Sequence, residues 1–157
     1  MTTEPSVETF IDVLAQIWQF DDGRGGTLRS FGLMDMPDAI TPTMSPCVVS
    51  YPLGCQPQYA TGGPTLLFWN GRSEFHLTED VKVGNVPYVV SFFRRILKAA
   101  MANMKLSGTV ELFLIPEEEN ALQFSTYKGA DGLDSHQGVV VMWEVKQNVS
   151  GSYTVSA

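Results

Sequence analysis

Asp134, Ser135 and His136 set an acid, a hydroxyl and an imidazole side by side, in a chain whose one other histidine is His76. These are the residue types of a nucleophilic triad, but a triad works by convergence in space, with the base in reach of the nucleophile and a third group orienting the base. Adjacency within a polar loop, Lys128 to Gln137, supplies no such convergence. The sequence therefore predicts no enzyme, and a hydrolase site built around His76 or His136 is the catalytic alternative. Metal chemistry fares no better. Asp131 and Asp134 lack the alternating oxygen ligands of a calcium loop. Glu117-Glu118-Glu119 reads as a solvated turn. Cys47 and Cys55 have neither Cys-x-x-Cys nor paired-histidine spacing, so they read as two reduced, partly buried thiols, although their separation would allow a loop disulfide. The glycine-rich run Asp21 to Gly26 has no Gly-Lys-Ser/Thr and no preceding strand, which excludes a phosphate loop. No metal and no cofactor are expected.

The elements that would position any site are clearer than the chemistry. From Asn85 to Leu106, Val86, Val89, Val90, Phe93, Ile96, Leu97, Ala100 and Met104 recur at three- and four-residue steps, the signature of one buried face of a helix. Asn85 is placed to cap the first turn, Pro87 tolerates an early helical position, and Gly108 lies just past the end. Lys98 and Lys105 fall late in the segment, where cations complement the helix dipole. Phe93, Ile96, Leu97 and Ala100 are expected to lie buried against a sheet, with Trp143 in or near the core.

The same segment concentrates charge. Arg94, Arg95, Lys98 and Lys105 give it +4 with no acid, and leave 17 acids against 6 bases, or −11, in the remainder. The stripe is either a solvated face or a basic strip that meets an acidic surface of another copy, with Glu117, Glu118 and Glu119 as its counterpart.

Elsewhere, residues 6 to 20 predict a first amphipathic helix from Val7, Ile11, Leu14, Ala15 and Trp18. Leu28 to Met36 forms a short helix or an irregular segment. Cys47 to Tyr51 is a strand stopped by Pro52 and Gly54, followed by a loop at 54 to 64. Asn70-Gly71 between Thr65–Trp69 and Arg72–Leu77 predicts a hairpin with a type I′ turn. Thr109–Ile115 and Ala121–Tyr127 predict a second hairpin around the acidic turn. Gly138 to Gln147 is the last strand, with Val139, Val141, Trp143 and Val145 on one face. The loops at 54 to 64 and 117 to 137 are expected to be mobile or to contact partners. Together these give an α+β fold, an antiparallel or mixed sheet with β-hairpins covered by two amphipathic helices, in one domain over 1–157 with flexible tails at 1–5 and 148–157.

A length of 157 residues and 44% hydrophobic content allow a proper core without staples. A net charge of −7 argues against general binding to nucleic acid. No long apolar run and no signal-peptide pattern occur, so the expectation is a soluble protein, made in the cytoplasm and independent of membranes.

The order of features resembles the tail terminator (tail completion) proteins of long-tailed bacteriophages. A first helix with Phe10-Ile11-Asp12-Val13-Leu14 precedes a proline-marked strand, Ile40-Thr41-Pro42-Thr43-Met44-Ser45-Pro46-Cys47-Val48-Val49. A hairpin and the long helix follow, then Gly108-Thr109-Val110-Glu111-Leu112 and the final strand from Gly138 to Val145. The likeness covers residues 7 to 147, and the stretch from Asp21 to Ala39 departs from it. It implies a structural virion protein of the tail and neck, without cofactor, that forms a hexameric ring on the tail tube protein and joins it to the head connector or neck protein. The competing class is a small-ligand or peptide-binding module whose pocket is lined by Phe68, Trp69, Phe75 and Trp143.

Overall fold

The computed structural model describes residues 9–59, 66–128 and 135–148. Helix α1, Thr9–Ile17, buries Phe10, Ile11, Leu14 and Ala15, with Trp18 directly after it. It ends short of the predicted residue 20, and its predicted start at residues 6 and 7 lies outside the described residues. Strand β1, Arg29–Phe31, replaces the predicted short helix or irregular segment and pairs in parallel with β2, Cys47–Gln58.

Strand β2 runs through both Pro52 and Pro57 instead of stopping at Pro52. Strand β1 covers its outer side only at Cys47–Val49, so from Ser50 onward it is an edge strand, where proline is tolerated. A register shift between Pro52 and Gly54 absorbs the irregularity.

Strand β3, Leu66–His76, passes straight through Asn70 and Gly71, and the predicted type I′ turn is absent. Gly71 sits opposite Trp143, and a Cβ there would fall 2.1 Å from the indole ring. The glycine is needed for close approach of an aromatic ring rather than for positive φ. The hairpin that does form joins β2 to β3 in antiparallel register from Cys47↔His76 to Gln58↔Leu66.

Helix α2, Val86–Ala102, follows a 3₁₀ turn at Val83–Asn85. Asn85 does not cap it: its side-chain amide donates to the carboxylate and carbonyl of Asp80. The last helical turn holds no basic residue, because Lys98 lies earlier and Lys105 beyond the end. A turn at Leu106–Gly108 places buried Leu106 in the core and reverses the chain into β4, Leu112–Leu114. Then come β5, Leu122–Lys128, and β6, Ser135–Asn148.

The sheet order is β1-β2-β3-β6-β4, mixed because β1 alone is parallel to its neighbour, and β5 also pairs with β6. The α+β architecture, a mixed sheet with two helices, agrees with the sequence. The predicted second hairpin does not. Strands β4 and β5 do not pair with each other. Both run antiparallel to β6, β4 against Glu144–Lys146 and β5 against Ser135–Val141, while β3 holds the other side. They form one interrupted edge, with residues 115–121 looped out between them. A 14-residue β6 is long enough to seat both, and Pro116 cannot donate to the ladder.

One face of the sheet carries the core. Val48, Phe75, Val139, Val141, Trp143 and Val145 meet α1 and α2 there, joined by Phe113 and Leu106. The Trp18 indole donates to Ser73 Oγ at 3.0 Å, and Ser73 and Ser50 share a hydrogen bond of 2.8 Å, so these three side chains are paired, whereas the buried Trp143 Nε1 has no partner among the described residues. From α2 the core takes Val89, Phe92, Ile96 and Ala100. Ile96 and Ala100 are buried as expected and Phe93 is half-buried, but Leu97, Val86, Val90 and Met104 are exposed. The two segments expected to be loops are also partly strand: 54–58 belongs to β2, 122–128 to β5, and 135–137 to β6. Residues 60–65 and 129–134 fall outside the described residues.

Candidate functional site

The outward side of α2 is the most distinctive surface. At roughly 100° per residue, the buried set 89, 92, 96 and 100 points one way, and Val86, Val90, Phe93, Leu97 and Met101 form a second row about a quarter turn away. Those five positions step by three or four residues along the whole helix, four of them are exposed, Met101 at 73%, and Met104, also exposed, follows just past the helix end. Phe124 of β5, itself 55% exposed, extends the row by an edge-on contact with Phe93 at 5.1 Å. The broad apolar arc in the sequence is thus a core face and a separate solvent-facing ridge.

Charge flanks this ridge on both sides. Arg94 and Lys98 are exposed about a further quarter turn from the core, and Lys105 is exposed past the helix end. On the opposite side Leu97 shares a groove of about 540 Å³ with Glu117, Glu118 and Glu119, while Lys98 borders a different groove with Phe20 and Asp21. Among the described residues, none of Arg94, Lys98, Lys105, Glu117, Glu118 and Glu119 forms an ion pair. The expected basic strip and acidic turn therefore exist, both exposed, on opposite flanks of one ridge.

Arg95 does not belong with them. It borders the same groove as Lys98 but is engaged there: it donates to the Asp21 carbonyl at 2.9 Å and lies over the Phe92 ring. Arg24 stacks on Tyr88 at 3.8 Å. These contacts dock the glycine-rich loop on α2, and Asp22 closes that loop by accepting from the Arg24 and Gly26 amides. Those two amides, with the nearby Arg24 and Arg95 charges, outweigh desolvation and hold the Asp22 carboxyl below its usual value.

The residues that could do acid–base chemistry gather on the face of the sheet without helices. His76 Nδ1 and His136 Nε2 are 2.6 Å apart, and Tyr127 lies against both rings at 4.0 and 5.3 Å between centroids. Glu74 Oε1 is 3.5 Å from His76 Nε2, and the Tyr51 hydroxyl donates to the same carboxylate. The arrangement follows from strand alternation and register: His76 pairs with Gly138, two residues from His136, which is opposite Tyr127. Burial raises the Glu74 carboxyl, but hydrogen bonds from His76 and Tyr51, and the charge of Arg72, leave it below the usual carboxylate value. Burial, with the His76 charge beside it, pushes His136 down to about 4. Both imidazoles are almost wholly closed to solvent, which suits a structural polar cluster better than a base facing a substrate.

Ser135 and His136 are successive residues of β6 and so point to opposite faces, which breaks up the sequence triad; Asp134 and Asp131 lie outside the described residues. Cys47 and Cys55 are free and cannot bridge, because eight residues of extended chain span roughly 26 Å. Burial lifts the Cys47 thiol to about 11. Among the described residues no three His, Cys, Asp or Glu side chains gather as a metal site.

Of the four aromatics proposed as pocket walls, Phe75 and Trp143 are fully buried in the core. Phe68, Trp69 and Trp143 border a groove of about 660 Å³ that also meets Asn70, Glu118 and Glu144, but Phe75 does not. No helix among the described residues is long and apolar enough to cross a membrane. In comparisons with known proteins, no family model and no curated protein matches the chain.

The sequence alone does not separate two features of the site. The apolar spacing joins the ridge to the core face, although positions 86, 90, 93, 97 and 101 are themselves a helical row. The histidine pair needed the register of three strands.

Proposed function

We propose that the protein is a non-enzymatic assembly subunit of a long-tailed bacteriophage, of the tail terminator type, acting in the virion after synthesis in the host cytoplasm. Several copies close into a ring, six by the family resemblance, which sits on the last layer of the tail tube protein and presents its other side to the head connector or neck protein. The ring offers no surface for another tube layer, so growth stops. No cofactor and no specific nucleic acid take part.

The observation that carries this reading is the exposed ridge of α2 between an unpaired basic strip and an unpaired acidic turn. Exposed apolar surface of this continuity marks an interaction site rather than scattered solvent exposure. Heterologous contacts between unlike flanks close a ring where the rotation from one copy to the next closes.

Native mass spectrometry with negative-stain imaging of the purified protein, alone and added to tail tubes, tests the proposal. A ring is expected in at least one condition, and a strict monomer in both would refute it. The groove beside Phe68 favours one other reading, a small-ligand or peptide-binding module, for which a strictly monomeric protein is the expected result.

A further inference from the structure

We infer that the ridge of α2 is the docking surface for a second copy of this chain, with the two α2 helices pointing the same way. The inference rests on the self-association in the proposed function and adds which surface is used and in what direction.

Val86, Val90, Leu97 and Met104, together with Met101 and Phe124, are between 37% and 73% exposed along one line. Nothing among the described residues covers them. A face of this kind supplies affinity by excluding water, whereas the charges beside it select orientation. Arg94 and Lys98 lie on one flank, and Glu117, Glu118 and Glu119 on the other. This placement makes the surface complementary to itself in one sense only. If a neighbour approaches with its α2 antiparallel, about a two-fold axis perpendicular to the helix, basic flank meets basic flank and acidic meets acidic. With α2 pointing the same way and the next copy set sideways by rotation about an axis along the helix, the basic flank of one copy meets the acidic flank of the next, the head-to-tail contact that a ring requires. Like charges in contact disfavour the first arrangement, and opposite charges favour the second. The chain's remaining charge is strongly negative, so an acidic neighbour is what a second copy offers to the basic strip.

The occupant is thus identified by chemistry already in the chain. Arg95 takes no part, because its guanidinium is engaged with Asp21 and Phe92. Val90 and Met101 are the most informative positions, since both are exposed and neither belongs to the core.

The test has two arms. In the first, Val90→Asp and Met101→Asp are compared with the unchanged protein by light scattering after gel filtration, with circular dichroism as a check of fold. Each substitution should weaken association at least tenfold while leaving the helical signal intact. In the second arm, one chain carries Lys98→Cys and a differently tagged chain carries Glu118→Cys, both with Cys55→Ser to remove the exposed native thiol. Mixed under mild oxidation, they should give chiefly the cross-linked product containing one of each.

A product dominated by two Lys98→Cys chains would overturn the shared direction. Association unaltered by both aspartate substitutions would overturn the docking surface, assign the ridge to a different partner and leave a ring through another surface possible. An unchanged protein that is monomeric at every concentration and on tail tubes would remove the proposed function as well. The cross-linking arm decides the matter if an aspartate variant fails to fold.

Discussion

Lowering the pH should destabilise the protein through His136 before its carboxylates respond. His136 is 1% exposed, lies 2.6 Å from His76 and has its pKa pushed from 6.5 to about 4 by burial and by the neighbouring imidazole. Between those values the unfolded chain takes up a proton that the folded chain refuses. Stability due to this group is therefore complete above about pH 6.5 and is lost as pH falls towards 4. The whole gap corresponds to roughly 3 kcal/mol, of which about 2 kcal/mol should be gone by pH 5. Glu74, whose carboxyl is lowered, loses its contribution only as pH falls below the ordinary carboxylate value of 4.5, so a window from pH 7.5 to 5 separates the imidazole pair from the carboxylates. Urea denaturation followed by the fluorescence of buried Trp18 and Trp143, at one protein concentration, measures the effect. His136→Gln keeps a hydrogen-bonding group near His76 and does not titrate, so its stability should change much less across the same window. Equal slopes for the two proteins would refute the assignment, as would an unchanged stability of the natural protein between pH 7.5 and 5.

Two substitutions test the packing. Ile96→Ala, at a fully buried position, should cost roughly 2–5 kcal/mol in denaturant unfolding, whereas Leu97→Ala next to it, at 41% exposure, should cost less than about 1 kcal/mol. Equal losses would mean that α2 is rotated from its observed seating. Gly71→Ala forces a methyl group into the Trp143 ring and should destabilise by about 1–3 kcal/mol with a changed near-ultraviolet circular dichroism; a neutral result would remove the close-approach explanation of that glycine.

What was legible in the sequence was what local periodicity carries. A helical row needs only 3.6-residue spacing, so α1 and α2 could be read, and strict alternation in Val139, Val141, Trp143 and Val145 gave β6 and its inward face. Composition also separated the base in α2 from the acid elsewhere. Which half of the α2 apolar arc is covered is not local. The sheet is wide enough for one row and leaves the other to solvent, so only the tertiary structure distinguishes Phe92 from Leu97. Pairing is likewise non-local. Asn70-Gly71 has the sequence of a turn, but β2 and β6 on either side hold it extended and the indole of Trp143 occupies the space over the glycine. Strands β4 and β5 are adjacent in sequence and look like a hairpin, but a long β6 offers each a separate stretch of edge. His76 and His136 are 60 residues apart, and they meet because strand register, a property of the whole sheet, brings their side chains to one face.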